Sequence, residues 1–517
     1  MTSPPPALHW LNIAARLHPD RLAIVAGDVE LSYAQLHSLV AQRAKHLAAM
    51  DIRSGSRVAI IAENSVGWLL AAHAILMTGA TLVPLHHLAT AEDLRTQLSI
   101  VPVDLIIRDA SANIPSELGA SELTLEHLND AASSCIAGPS GDALPSIGET
   151  STADSDDTLV VLFTSGTTGT PRAVPLSAAN IHASAMASAE RLGLENDDRW
   201  LCCLPLCHMG GLATMLRSLI YATTLELAEH TDMGTIATLV STRPITLLSL
   251  VPTQVHRLLT AHSTPLPTSL RAVLVGGGPV DAHDLRAARK IGLPLLPTYG
   301  MSEAASQITT LPLDAPLDML ESSGSPLPGT ELRITLDDGS TAAPGQPGAI
   351  KVRGPTLTRG YLNKNADALY DNEGWMRTGD VGHLDERGFL YIHHRASERI
   401  VSGGENIDPT EVERALRAHP HVTDLAVFAL DHPEWGQQLC CALVLSSLPA
   451  SQKDDQLATL AEFSDTKLLQ SLNEHCRTRL APFKIPRRWF LTDAIPRTPS
   501  QKVRRHRLAE LATRVGQ

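Results

Sequence analysis

The sequence predicts an α/β protein with a large N-terminal domain of parallel sheets and crossover helices, a small barrel-like β unit and a small α+β C-terminal domain. Three observations carry this. Apolar runs of four to eight residues alternate with helical stretches through the first 300 residues, the rhythm of strand, crossover helix and parallel strand. From Gly324 the pattern changes to short strands punctuated by turns. At 517 residues, the chain is also too long for one compact core.

In chain order, "RVAIIAEN", "VGWLLAAHAILMTG" and "TLVPL" read as strand, helix and strand. The linker Gly138 to Asp157, rich in Gly, Ser, Pro and acid, reads as a surface connector. The strand–helix rhythm returns at "PITLLSLVPTQVHRLLTAH", "LRAVLVGGGPVDAHDLRAARKIG" and "LPLLPTYG". The stretches "ELRITLDDGS", "GAIKVRG" and "GFLYIHHR" read as the small β unit. Beyond them "PTEVERALRAHPHV" is a helix, and "LAVFALD" and "LCCALVLSS" are strands. The expected division is residues 1–394, a hinge at 395–397, and 398–517.

Composition narrows the function. A hydrophobic fraction of 44% with 19% charged residues fits a globular protein, and the net charge of −13 opposes general binding to nucleic acid or an anionic membrane. Between Arg477 and Arg507, however, ten basic residues face the single acid Asp493, which fits either a small polyanion or a solvated face. The seven cysteines form no CxxC pair and point to free thiols in a reducing compartment. Cys203, Cys207 and His208 have a metal-like spacing but lack a second ligand pair, so the metal reading is set aside. No leader stands out at the start. The stretch Leu69 to Leu85 is too short to span a bilayer and is interrupted by His73, Thr78 and Gly79, so a cytoplasmic protein without a membrane span is expected.

The chemistry begins at "LVVLFTSGTTGTPRAV", a strand ending in hydroxyls and glycines that suit phosphate oxygens. It lacks the Walker lysine, and alone it would be only a turn. Four further stretches join it. "YGMSEAAS" offers an aromatic face, a hydroxyl and a carboxylate able to stack a base, touch phosphate and hold Mg2+. Asp380 of "WMRTGD" could accept both hydroxyls of a ribose, "HHRASERIVSGGENI" carries Arg395 and the Gly403-Gly404 pair, and "IPRTPSQKVRR" carries Lys502.

Together these motifs resemble the adenylate-forming superfamily of acyl- and aryl-CoA ligases, adenylation domains and luciferases, over nearly the whole chain. The resemblance implies ATP, Mg2+ and CoA as the small molecules used. It implies that Thr164, Ser165, Gly166, Thr167, Thr168 and Gly169 cradle the triphosphate with Arg172, that Tyr299 stacks on adenine, that Ser302 touches phosphate, and that Glu303 binds magnesium. Asp380 and Arg395 would hold the ribose, Ser397 would sit at the hinge of a mobile C-terminal domain, Gly403 and Gly404 would line the CoA tunnel, and Lys502 would be the adenylation lysine. Two positions depart from the family pattern: Arg172-Ala173 stands for Lys-Gly, and Gln501 for the glycine before the last lysine.

The acid partner is read from "PLCHMGGLATMLRSLIYA", where Arg217 follows His208 by nine residues on an expected helix. A buried cation there would suit an acid with a second carboxylate, and an exposed helix arginine is the competing reading. His208, Arg217, "SLVPTQVHRLL" and "YGMSEAASQITTL" resemble the o-succinylbenzoate–CoA ligases of menaquinone biosynthesis. That likeness implies His208 at the pocket mouth, Arg217 on the distal carboxylate, and Gly276, Gly277, Gly278 and Ser306 along the wall. Alternatives are a medium-chain fatty or other aryl acid, a module loading a carrier protein, and a serine hydrolase using Ser302 of "GMSEA". Self-association is compatible with the sequence.

Overall fold

The structure is a computed structural model that describes residues 10–110, 120–133, 157–164, 171–228, 230–261, 267–363, 369–395, 400–402, 405–433, 435–446, 460–463, 466–497 and 503–515. By packing, the chain divides into two compact units, one of Met1–Leu332 with Val352–Met376 and one of Arg333–Lys351 with Arg377–Gln517. The expected boundary at 394–398 falls inside the second unit. The strands Met376–Leu384 and Leu390–Arg395 belong to a four-stranded sheet with Glu331–Thr335 and Gly348–Arg353, and packing groups most of that sheet with the C-terminal part of the chain.

The first unit carries two sheets. One has six strands in the spatial order Ser121–Thr124, Leu105–Arg108, Arg57–Ile61, Thr81–Leu85, Thr158–Thr164 and Arg172–Ser177. The expected pair "RVAIIAEN" and "TLVPL" lies parallel, with Val58 opposite Leu82. The other has nine strands: Ser325–Pro326, Ser306–Thr310, Leu295–Met301, Ala272–Val275, Leu247–Leu250, Arg199–Cys202, Thr224–Leu227, Leu22–Ala26 and Val29–Ser32. Its central strands run parallel, as the recurring strand–helix rhythm requires.

The helix Val66–Met77 explains how the two sheets share a core. It is apolar all round, every residue from Trp68 to Met77 is buried, and Ser65 caps its start by accepting the Trp68 amide at 3.1 Å. Ile24 and Leu225 of the nine-stranded sheet and Val58 and Leu82 of the six-stranded sheet join Trp68, Leu69 and Ile75 in one cluster. Beside it the helix Tyr33–Ala49 starts with a reciprocal cap: Ser32 Oγ accepts the Gln35 amide at 3.3 Å, and the Ser32 amide donates to Gln35 Oε1 at 2.8 Å.

In the second unit the strands Glu405–Ile407, Ile400–Ser402, Gly436–Leu445, Arg488–Thr492 and Leu460–Glu462 form a sheet, with Val422–His432 also paired to Gly436–Leu445. The unbroken apolar run "LCCALVLSS" has a simple cause. Leu439, Cys441 and Leu443 face a core with the helices Pro409–Arg417 and Thr466–Arg477, while Cys440 and Ala442 face a second core with Leu508 and Ala512 of the helix Arg505–Val515.

The basic segment is internally neutralised in part. Lys484 pairs with Glu411 at 2.6 Å, Arg488 with Glu462 at 3.1 Å, and Arg497 with Asp424, Arg505 with Glu413 and Arg507 with Glu510 each at 2.8 Å. Five of its ten cations are therefore paired within the unit, so half of the segment's positive charge is already answered by the protein's own carboxylates. Among the described residues, six cysteines are free, and no helix is long and apolar enough to cross a membrane.

Candidate active site

In open sheets of this kind ligands gather where the parallel strands end at their carboxyl edge. In the nine-stranded sheet the strand Arg199–Cys202 leads to His208, Ala272–Val275 leads to Gly276, Gly277 and Gly278, and Leu295–Met301 carries Tyr299 and leads to Ser302 and Glu303. A Cβ on Gly276 would lie 3.0 Å from Thr298 Cγ2, so the glycine run packs against the residue before Tyr299.

The turn holding Ser302 and Glu303 is strained. After a single 3-10 turn at Ser302–Ala304, Ala305 and Ser306 take φ values of 49° and 111°, unusual for residues with a Cβ. Gly300 makes the turn feasible, because a Cβ there would sit 1.8 Å from the Ser306 carbonyl oxygen. The Ala305 carbonyl is fixed by Ser184 Oγ, which donates to it at 2.7 Å.

Glu303 is tied to the hairpin of Thr164 and Arg172 by a residue that the motifs did not flag. Thr164 and Arg172 are direct partners across the hairpin; residues 165–170, with Ser165, Gly166, Thr167, Thr168 and Gly169, lie outside the described residues. Arg172 Nη1 donates to the Tyr361 hydroxyl at 3.4 Å, its guanidinium stands 5.3 Å from the ring centre, and Tyr361 donates in turn to Glu303 Oε1 at 2.8 Å. Burial and then the Glu303 carboxylate push the Tyr361 phenol up, so it stays a donor. The segment around Tyr361 is fastened at both ends: the Thr358 amide donates to the Glu303 carbonyl at 2.8 Å, and the Leu362 amide to the Ala173 carbonyl at 3.0 Å. A carboxylate oxygen so held is the hard ligand that Mg2+ takes beside nucleotide phosphates, and Glu303 fits that role.

The helix Met209–Tyr221 forms as expected and carries Arg217 inward. Gly211 lets it start close to the preceding loop, since a Cβ there would meet the Pro205 carbonyl oxygen at 2.4 Å. Arg217 is 3% exposed, so the reading as an exposed helix arginine is corrected. Its Nη2 donates to Ser184 Oγ at 3.3 Å and its guanidinium lies 5.6 Å from the Trp200 ring centre. No carboxylate pairs with it among the described residues, and burial lowers its pKa. Nine residues of helix put His208 and Arg217 about 13 Å apart along the axis, and helical side chains lean back toward the N-terminus.

His208 meets Cys207, which the sequence spacing had set beside it, and His86, which it had not. The ring of His86, which follows the strand Thr81–Leu85, is 5.7 Å from that of His208, and the ligand atoms of His86, Cys207 and His208 lie within 4.8 Å of one another. Burial first, then His208 and His87, lowers His86 to about 4, and burial raises Cys207 to about 12.

In the second unit Asp380 and Arg395 are cross-strand partners joined at 3.1 Å, with Asp380 only 5% exposed. The Asp380 amide donates to Thr378 Oγ1 at 3.1 Å, and that hydroxyl to the Ile350 carbonyl at 2.8 Å. Ser397, Gly403, Gly404 and Lys502 lie outside the described residues.

Parallel sheets with the Thr164–Arg172 hairpin and a carboxylate turn at their carboxyl edge fit an adenylate-forming ligase, the class that the family comparisons give. The chain belongs to the AMP-binding enzyme family, whose model matches residues 11–362, while that of the AMP-binding enzyme C-terminal domain matches residues 411–502. It is 34% identical over 502 residues to the 2-succinylbenzoate–CoA ligase of Bacillus licheniformis, covering 97% of this chain and 99% of the relative. A solved o-succinylbenzoate CoA synthetase from Bacillus subtilis, in complex with its acyl-adenylate intermediate, superposes with a TM-score of 0.85 at 32% identity, over 98% of each chain. ATP-bound MatB from Rhodopseudomonas palustris superposes with a TM-score of 0.82 at 27% identity, over 98% of this chain and 100% of that one.

Proposed function

We propose that this chain joins 2-succinylbenzoate to CoA at the expense of ATP, through an acyl-adenylate. Arg217 carries the choice of acid: it is a fully buried cation without a carboxylate partner among the described residues. A buried charge calls for a counter-charge, and the second carboxylate of a dicarboxylic acid supplies one. The names of the full-length relatives support the same acid. A fatty acid would leave Arg217 facing hydrocarbon.

In the first half-reaction a carboxylate oxygen of the acid attacks the α-phosphorus of ATP, the P–O bond to the β-phosphate breaks, and pyrophosphate leaves. Two anions must meet, so the Lys502 charge and the hairpin Thr164 to Gly169 with Arg172 are assigned to offset their repulsion. Mg2+ supplies charge neutralisation at the phosphates, with Glu303 as its protein ligand and Tyr361 as the residue that orients Glu303. Tyr299 and Ser302 are assigned to adenine and phosphate, and Asp380 with Arg395 to the ribose. In the second half-reaction the CoA sulfur attacks the acyl carbon, AMP leaves, and the thiol proton passes to solvent. Ser397, Gly403 and Gly404 are assigned to the hinge and CoA tunnel of this step. His208, Arg217, Gly276, Gly277, Gly278 and Ser306 are assigned to the acid pocket. The reading puts the enzyme in the cytoplasm, where ATP, CoA and reduced thiols coexist.

The test is pyrophosphate release from ATP across a panel of 2-succinylbenzoate, plain benzoates and fatty acids, with and without CoA. Release with 2-succinylbenzoate, and a thioester once CoA is added, is the expected result. Release with a different acid alone refutes the choice of acid and keeps the adenylating reaction.

A further inference from the structure

The metal reading set aside for Cys203, Cys207 and His208 lacked a second ligand source, and the fold supplies one from a different sheet. Cys203 drops out, since it is buried and its thiol faces the Ser249 carbonyl oxygen at 3.5 Å. His86 takes its place: the loop after Thr81–Leu85 brings its ring to Cys207 and His208, with ligand atoms of all three within 4.8 Å of one another.

We propose that His86, Cys207 and His208 form a three-ligand site for a borderline-soft divalent cation of the Zn2+ class. Two imidazoles and one thiolate are a donor set such ions prefer, and Mg2+ does not. Tetrahedral Zn2+ keeps its nitrogen and sulfur ligands about 3.3 to 3.7 Å apart, so side-chain rotations of about 1 Å close the present spacing. One rotation has a cost visible in the structure: His86 Nδ1 accepts the Leu88 amide at 3.1 Å. A neutral imidazole that ligates through Nε2 carries its proton on Nδ1, and one that ligates through Nδ1 gives the ion its only lone pair there, so the bond from the Leu88 amide is lost either way. The site is therefore expected to hold Zn2+ reversibly rather than as a permanent structural ion. Binding releases the Cys207 proton to solvent and leaves a fourth position open. Where His208 stands at the mouth of the acid pocket, a resting ion there blocks the acid; that consequence, unlike the binding itself, rests on the function proposed above.

The experiment titrates metal-free protein, without nucleotide, with Co2+ followed by Zn2+. One equivalent of Co2+ should produce a thiolate-to-cobalt band in the near ultraviolet and intense visible bands of four-coordinate cobalt, both bleached by Zn2+. Cys207→Ser should abolish the near-ultraviolet band, and His86→Asn should weaken Co2+ at least tenfold, with circular dichroism and melting curves showing both variants folded. Absence of the near-ultraviolet band in the parent protein, or its survival in Cys207→Ser, overturns the proposal. Micromolar Zn2+ should also suppress pyrophosphate release in the parent and not in His86→Asn. Cobalt binding at these residues without any such inhibition upholds the metal site and refutes the position given to His208.

Discussion

Replacing Arg217 by methionine removes the charge while keeping most of the side chain's length, and the surroundings of Arg217 fix the expected size of the effect. Arg217 is 3% exposed, with one neutral hydrogen bond at 3.3 Å, one aromatic ring at 5.6 Å and the nearby Tyr221 phenol as its compensation. A substrate carboxylate arriving there makes a desolvated, charge-assisted contact, and such contacts are worth about 2–5 kcal/mol. Allowing for Ser184 and Trp200, about 3 kcal/mol is expected, or about 150-fold in kcat/KM. The assay measures kcat/KM for 2-succinylbenzoate and for 4-oxo-4-phenylbutanoate, which lacks the benzoate carboxylate. The parent should favour the dicarboxylic acid by about two orders of magnitude, and Arg217→Met should lose nearly all of that preference while KM for ATP holds. The variant's melting temperature should hold or rise, because an apolar replacement of an unpaired buried charge is often neutral or stabilising. Unchanged discrimination with a lowered melting temperature would refute the reasoning and leave Arg217 as a structural partner of Trp200.

Tyr361→Phe deletes the hydroxyl that links Arg172 to Glu303, and kcat/KM for MgATP should fall about tenfold in a magnesium titration, the worth of one hydrogen bond to a charged group; an unchanged value removes Tyr361 from the site. Lys502→Ala should lose on the order of 3 kcal/mol of adenylation while still converting supplied acyl-adenylate to thioester, and normal adenylate formation would refute its assignment. His73 sits in the apolar helix Val66–Met77, and burial lowers its pKa from 6.5 to about 4. The unfolded chain then takes up a proton near 6.5 that the folded chain refuses, so stability is full above 6.5 and falls as the pH drops toward 4. That span is worth about 3 kcal/mol, and chemical denaturation of His73→Leu at pH 7 and pH 4.5 should show a smaller acid loss than the parent.

Periodicity made the strands and crossover helices legible because each is a local property of ten or so residues. The unbroken apolar run in Val66–Met77 marks a helix buried on every side, and "LCCALVLSS" a strand buried on both faces. Asp380 and Arg395 could be named from their motifs because one hairpin brings them together. Juxtapositions across sheets were not legible. Nothing near Glu303 in the chain announces Tyr361, nothing near Arg217 announces Ser184, and His86 lies on a different sheet from His208. A usable signal existed in "TRGYLN", a glycine-aromatic turn beyond a short strand, but its direction depends on backbone bonds to Ala173 and Glu303. The pairing of half the basic segment was hidden for a related reason, since its partners Glu411, Glu413, Asp424 and Glu462 precede it in sequence and are met only through packing.

Gly300 also bears on the chain's evolutionary freedom. Any other amino acid at this position brings a carbon atom to within 1.8 Å of a backbone oxygen, and a backbone, unlike a side chain, has no alternative rotamer to retreat to. Every codon change that alters this residue therefore meets the same obstacle, regardless of the polarity or size of the newcomer. On the function proposed above, acid preference can drift through replaceable side chains along the helix Met209–Tyr221, whereas every replacement at the residue anchoring the turn of Ser302 and Glu303 forces the backbone to move. A lineage exploring new acids would change the pocket and inherit the turn unaltered.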